Sequence, residues 1–145
     1  MKVIFLDIDG VLNEENWMLN KTPWIDENKL KLLSNLCKKT KAKIVLSTNW
    51  RDIWFEPMYI NSKGNGINLA HKLFKKHKLD VIGVTPSFGM RESEILTYLS
   101  DNDFVNYVVF DDNKLNLPHF IQTDKSKELT QADCINALSI LNTCS

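Results

Sequence analysis

The stretch Lys2-Val3-Ile4-Phe5-Leu6-Asp7-Ile8-Asp9-Gly10-Val11-Leu12 decides the fold. Its first half is a continuous apolar run rich in strand formers, the pattern of a strand buried on both faces. An Asp-Gly turn then stops the run. The same form recurs twice: Ala42–Leu46 ends in Ser47-Thr48-Asn49, and Tyr107–Phe110 ends in Asp111-Asp112-Asn113. Val81–Val84, closed by Thr85-Pro86, and a weaker His119–Gln122 complete the candidate strands.

Helical spacing fills the gaps. Asp26 reads as an N-cap before Leu30, Leu33, Leu36 and Cys37. Ile67, Ala70, Leu73, Phe74 and His77 share one face after Gly66, and Arg91–Leu99 turns Ile95, Leu96 and Leu99 inward. Thr130 and Asp133 have capping-box spacing ahead of a stripe of Ile135, Leu138 and Leu141. Strands alternating with helices predict an α/β fold with a central parallel sheet of about five strands, covered on both faces. Two segments read as irregular, Asn13–Ile25 and Arg51–Asn65, and both leave the carboxyl edge of a strand, where open parallel sheets bind ligands.

The chain has 145 residues, 43% hydrophobic and 25% charged, which is one domain's worth, 1–145. A chain of this length buries roughly two thirds of its unfolded surface and needs no disulfide or structural metal. Lys and Arg number 18, as do Asp and Glu, so net charge makes no case for a nucleic-acid or membrane partner. Locally there is bias: residues 29–43 carry six lysines, 71–78 carry four, and 92–113 carry six acids without a Lys or Arg. Runs of this length read as solvated helix faces. Cys37, Cys134 and Cys144 form no spaced pair and read as free thiols. No stretch resembles a signal-peptide core or a membrane span, so a cytoplasmic protein is expected.

In a parallel sheet the three polar clusters meet at one edge. Carboxylates crowded there repel one another unless a cation sits among them, and oxygen ligands without His or Cys favour Mg2+ over zinc. Asp7 and Asp9, two apart on an extended chain, share a face about 7 Å apart. One can stand behind a phosphorus atom as nucleophile and the other beside its leaving oxygen as acid and then base. A hydroxyl from Thr48 and a cation from Arg91 could hold the remaining phosphate oxygens, which is nearly all that phosphoryl transfer requires. The bland alternatives are an Asp-Gly turn, a helix cap at Asp111-Asp112-Asn113, a Thr48 cap and a surface Arg91.

These residues resemble the haloacid dehalogenase (HAD) superfamily. Asp7-Ile8-Asp9-Gly10-Val11-Leu12 looks like its motif I, Leu46-Ser47-Thr48-Asn49 like motif II, Arg91 like motif III and Val109-Phe110-Asp111-Asp112 like motif IV, in order along nearly the whole chain. The resemblance implies a Rossmann-like three-layer fold and a phosphatase working through an aspartyl phosphate with Mg2+. Asp7 takes the place of the nucleophile and Asp9 that of the acid/base. The metal set is Asp7, the main-chain carbonyl of Asp9, Asp112 directly, and Asp111 nearby or through water. Thr48 is preferred over Ser47 as the motif II hydroxyl. Arg91 stands where Lys is commoner, with Lys114 the next candidate.

Asn49-Trp50-Arg51, Thr85-Pro86 through Arg91-Glu92-Ser93-Glu94-Ile95, and Gln122-Thr123-Asp124 followed by Glu128-Leu129-Thr130 resemble the small HAD domains of RNA-repair proteins and the phosphatase half of phage polynucleotide kinase-phosphatases. This implies that Arg51 helps bind the substrate phosphate, with Ser47 and Asn49 beside it. Glu128 departs from the Gly common there. No insert is long enough for a large cap domain, so a bulky substrate is expected: a nucleotide or an RNA or DNA end. Trp17 and Trp54, in the two irregular segments, could stack on a base. Alternatively the loop aromatics pack on one another.

Rival readings are a phosphatase of small metabolites, a phospho-accepting receiver domain and a silent binding module. A receiver places its lone Asp after the third strand rather than an Asp-x-Asp after the first. A silent module is not expected to keep Asp7.

Overall fold

The computed structural model describes residues 1–14, 16–19 and 24–143. Cys144 and part of the Asn13–Ile25 segment lie outside them. In chain order the elements are β1 (Lys2–Leu6), α1 (Glu27–Thr40), β2 (Lys43–Leu46), α2 (Arg51–Trp54), α3 (Pro57–Ile60) and α4 (Gly66–Lys76). Then follow β3 (Val81–Val84), α5 (Arg91–Asp101), β4 (Asn106–Asp111), β5 (Phe120–Gln122) and α6 (Gln131–Leu141). All strand pairs are parallel, in the order β3-β2-β1-β4-β5. The apolar run of the first strand thus lies at the centre, where both faces are covered.

The two faces of β1 separate cleanly. Ile4 and Leu6 face a core with Leu30 and Leu33 of α1, Ile67 and Ala70 of α4, and Ala137 and Leu141 of α6. Val3 and Phe5 face the other way, onto Ile95 of α5. This period-two alternation gives three layers, with α1, α4 and α6 on one side and α5 on the other.

The caps follow the sequence. Asp26 accepts from the Asn28 amide, and Thr130 and Asp133 form a capping box. Three readings need correction. Arg51–Asn65 is not irregular, since it holds the single-turn helices α2 and α3. In α5, Leu96 is 49% exposed and Glu94 is turned inward instead, because Arg51 meets it there. In α6, Ile135 is 59% exposed and Ala137 takes the inward place. Among the described residues, the stretches between the strands hold no element longer than the covering helices and no insertion of cap-domain size. Among the described residues no helix is long and apolar enough to cross a membrane.

Candidate active site

Sheet register brings the polar clusters to one level. Leu6 pairs with Leu46 of β2 on one side and Phe110 of β4 on the other. The ladder runs one step further: the Ser47 amide donates to the Leu6 carbonyl at 2.9 Å, and the Asp7 amide to the Phe110 carbonyl at 3.1 Å. Asp7, Ser47 and Asp111 therefore emerge together. The crossovers from β1 run toward β2 and β3, whereas β4 lies on its other side, so the β1–β4 crevice is the topological switch point where such sheets bind ligands.

Asp7, Asp111 and Asp112 meet there, each buried, with one carboxylate oxygen from each within 4.8 Å of the others. Burial, then the Asp111 charge, pushes the Asp7 carboxyl well above the ordinary carboxylate range, with Arg91 pulling it partly back. Burial likewise raises Asp111, against the pull of the Asn113 amide and Arg91. Asp111 Oδ1 accepts from the Asn113 amide at 2.9 Å, while buried Asp111 Oδ2 has no hydrogen-bond partner. Three crowded carboxylates, one with an oxygen that accepts no hydrogen bond, could hold a metal ion, so these residues fit one.

Gly10 makes the crowding possible. Its φ is +84°, and a Cβ there would overlap the Asp112 carboxylate. Thr123 Oγ1 donates to the Gly10 carbonyl at 2.9 Å, and Gln122 Nε2 to the Asp112 carbonyl at 3.1 Å, so the end of β5 and the residue after it brace both turns.

Asp9 stands apart. Its carboxylate is outside the trio, with Oδ1 accepting from Asn13 Nδ2 and Oδ2 from Trp50 Nε1, both at 2.8 Å. Thr48 is 1% exposed, and its Oγ1 accepts from the Trp50 amide at 3.4 Å, which leaves its own O–H free to donate. Ser47 is fully buried and its Oγ has no partner. Arg91 opens α5 and reaches the trio, its Nε 3.9 Å from Asp111 Oδ2 and its Nη2 3.5 Å from Asn49 Oδ1. Its Nη1 is buried without a partner.

Two expected substrate contacts take other roles. Both terminal nitrogens of the Arg51 guanidinium are occupied by the protein, while its buried Nε has no partner: Nη1 donates to the Thr48 carbonyl at 3.1 Å, and Nη2 to Ser87 Oγ at 2.9 Å and Glu94 Oε2 at 3.0 Å. With Arg51 7% and Glu94 2% exposed, this is a buried ion pair rather than an open phosphate clamp. Trp54, 1% exposed, stacks on His71 at 4.3 Å and meets Phe74 edge-on at 5.1 Å, so no base can reach it. It fills the space between α2 and α4. Trp17 is half-buried, 6.2 Å from Trp24, which in turn lies 4.9 Å from Trp50.

Asn13, Trp50, Glu94 and Thr123 were not singled out as site residues. Glu94 carried a signal, an acid beside Ile95 on the inward face of a short helix. Trp50 sits next to motif II, but nothing in its spacing points to Asp9.

Comparison with curated proteins and with solved structures returned no match. Residues 3–134 match the family described as the HAD domain in Swiss Army Knife RNA repair proteins. That span runs from β1 into α6 and contains every residue of the acidic trio, and the chain belongs to this family of HAD domains.

Proposed function

We propose that this chain is a Mg2+-dependent phosphomonoesterase that acts through an aspartyl phosphate on Asp7, on a nucleotide or a nucleic-acid end. The observation that carries the reading is the buried carboxylate trio beside an Arg91 guanidinium nitrogen that has no partner. Orphaned buried groups of opposite charge are costly unless a ligand completes them. A phosphate would accept from Arg91 Nη1 and from the Thr48 hydroxyl.

In the forward step an Asp7 oxygen attacks phosphorus, the bond to the leaving oxygen breaks, and Asp9 supplies the proton that makes the leaving group an alcohol. Water then attacks the phosphoaspartate and gives its proton to Asp9. Inorganic phosphate leaves and Asp7 is restored. Mg2+, held by Asp7, Asp111, Asp112 and the main-chain carbonyl of Asp9, would neutralise charge on the transferring group.

Two features support a nucleic-acid end as substrate: membership of a family of HAD domains found in RNA-repair proteins and, among the described residues, no insertion of cap-domain size over the strand edge. Of Trp17 and Trp54, the latter is enclosed, so base stacking falls to Trp17. The balanced charge favours contact with only a few phosphates, hence a shallow salt dependence. The test is a phosphatase screen with Mg2+ over an aryl phosphate, mononucleotides, sugar phosphates and end-phosphorylated oligonucleotides. Turnover in all metal-dependent samples, highest on nucleotide or oligonucleotide, is expected. Full activity after verified metal removal overturns the mechanism, and sugar phosphates outranking every nucleotide overturns the substrate class.

A further inference from the structure

We propose that Asn13 and Trp50 are positioning residues that aim the Asp9 carboxyl at the leaving oxygen. The inference rests on the phosphatase reading and assigns the leaving-group half of its chemistry to two side chains outside motifs I to IV.

Asp9 is half-buried and lies just past the end of β1, where an unsupported carboxylate is free to turn about its side-chain torsions. Here both oxygens are taken, one by the Asn13 amide and one by the Trp50 indole N–H. Each donor is itself fixed. Asn13 is 1% exposed, and its Oδ1 accepts from the Gly10 amide at 3.0 Å, so the motif I turn folds back on its own acid. Trp50 is tied through its amide to Thr48 Oγ1, and its ring lies against Trp24. Buried Trp24 continues to Trp17, so the segment after β1 and the segment after β2 grip Asp9 together.

One N–H per oxygen leaves a lone pair on each for the proton in transit, and the clamp fixes where those lone pairs face. That is what a general acid needs: reach and direction toward one atom of the substrate. The separation from Asp7, Asp111 and Asp112 has the same sense, since a carboxyl drawn into the trio could not serve the leaving group.

Such a role has a signature that loss of packing does not share. Protonation matters most when the departing alcohol is a poor leaving group. Trp50→Phe keeps a ring against Trp24 and removes only the N–H. With Mg2+ present, kcat/KM is measured for a series running from p-nitrophenyl phosphate to an alkyl phosphate and a nucleoside 5′-monophosphate. This ratio covers the steps up to departure of the leaving group. The loss is expected to be under about threefold for p-nitrophenyl phosphate and about tenfold or more for the alkyl and nucleoside esters, part of the 10²–10⁴ that acid–base catalysis contributes. Asn13→Ala must show the same split, which keeps the test decisive if one variant folds poorly. In an Asp9→Asn background Trp50→Phe should add less than about twofold, because it acts through Asp9. Equal losses across all leaving groups, or an undiminished effect in the Asp9→Asn background, overturn the clamp. Retained turnover in Asp7→Asn would instead overturn the phosphatase reading beneath it.

Discussion

Two buried charged clusters lie on the carboxyl edge of the same sheet, and only one of them is closed. Around Glu94 the charges are matched one to one, with Arg51 Nε the single nitrogen left without a partner: Oε2 accepts from Arg51 Nη2, from the Phe88 amide at 2.8 Å and from the Gly89 amide at 3.1 Å. Around Asp7 they are not. Three carboxylates crowd together against one guanidinium, Asp111 Oδ2 accepts no hydrogen bond and has only Arg91 Nε at 3.9 Å beside it, and Arg91 Nη1 has nothing to donate to. Burial of charge is tolerable when it is paired and hydrogen-bonded. The closed cluster therefore reads as a strut, pinning the 85–90 segment that leads into Arg91. The open one reads as a site that binding partners complete.

The largest effect should come from the open cluster. Asp7→Asn is expected to drop phosphate turnover below about 1% of the wild-type rate, because a carboxamide of nearly the same shape cannot attack phosphorus. Its fold should not suffer, since one of three repelling charges is gone. Glu94→Ala tests the opposite case. It leaves the Arg51 charge buried and unpaired and should cost about 3–5 kcal/mol in denaturant unfolding. Replacing Arg51 and Glu94 together by Met and Leu should cost much less. Equal destabilisation by Asp7→Asn and Glu94→Ala would erase the distinction between the clusters.

Arg91→Ala should slow turnover about 10²–10³-fold, the value of one well-placed charge-stabilising donor, with little change in stability. Unchanged kinetics would move its role to Lys114. The third comparison is by pH. A carboxyl raised in the folded state is protonated there while the unfolded chain has already ionised. Its contribution to stability is therefore complete below the ordinary carboxylate value and is lost as pH rises through the raised value. In chelator, the Tm advantage of Asp7→Asn over wild type should widen between about pH 5 and about pH 8, and Mg2+ should close it. A gap that narrows with pH in chelator would contradict the crowding. The smallest effect is expected at the rim, where Trp17→Ala should raise KM for an end-phosphorylated oligonucleotide by about tenfold, one stacked base, while sparing the aryl phosphate. Parallel losses on both substrates would make Trp17 a packing residue only.

Much of the open cluster was legible before the fold. Asp7, Asp111, Ser47 and Thr48 each follow an apolar run, and in a parallel sheet such runs end at one edge. The closed cluster was not. Arg51 and Glu94 sit on different helices, and helical spacing alone cannot say which of the two positions flanking buried Ile95, Glu94 or Leu96, turns inward. Trp54 follows the packing alternative, but against His71 and Phe74 of α4 rather than the other loop tryptophans, since an aromatic in a segment without clear periodicity looks like loop until α2 and α4 close around it.

The sequence by itself determined the five strands, the four longer helices α1, α4, α5 and α6 and the acidic motifs at the strand ends, because periodicity and turn chemistry act over a few residues. Tertiary structure alone decided that Asp9 leaves the trio for Asn13 and Trp50, that Arg51 spends its guanidinium on Glu94, and that Gly10 admits the Asp112 carboxylate. Those outcomes depend on distances between segments tens of residues apart. A hydrogen bond forms or fails over a few tenths of an ångström, which only the packing of the assembled sheet and helices sets.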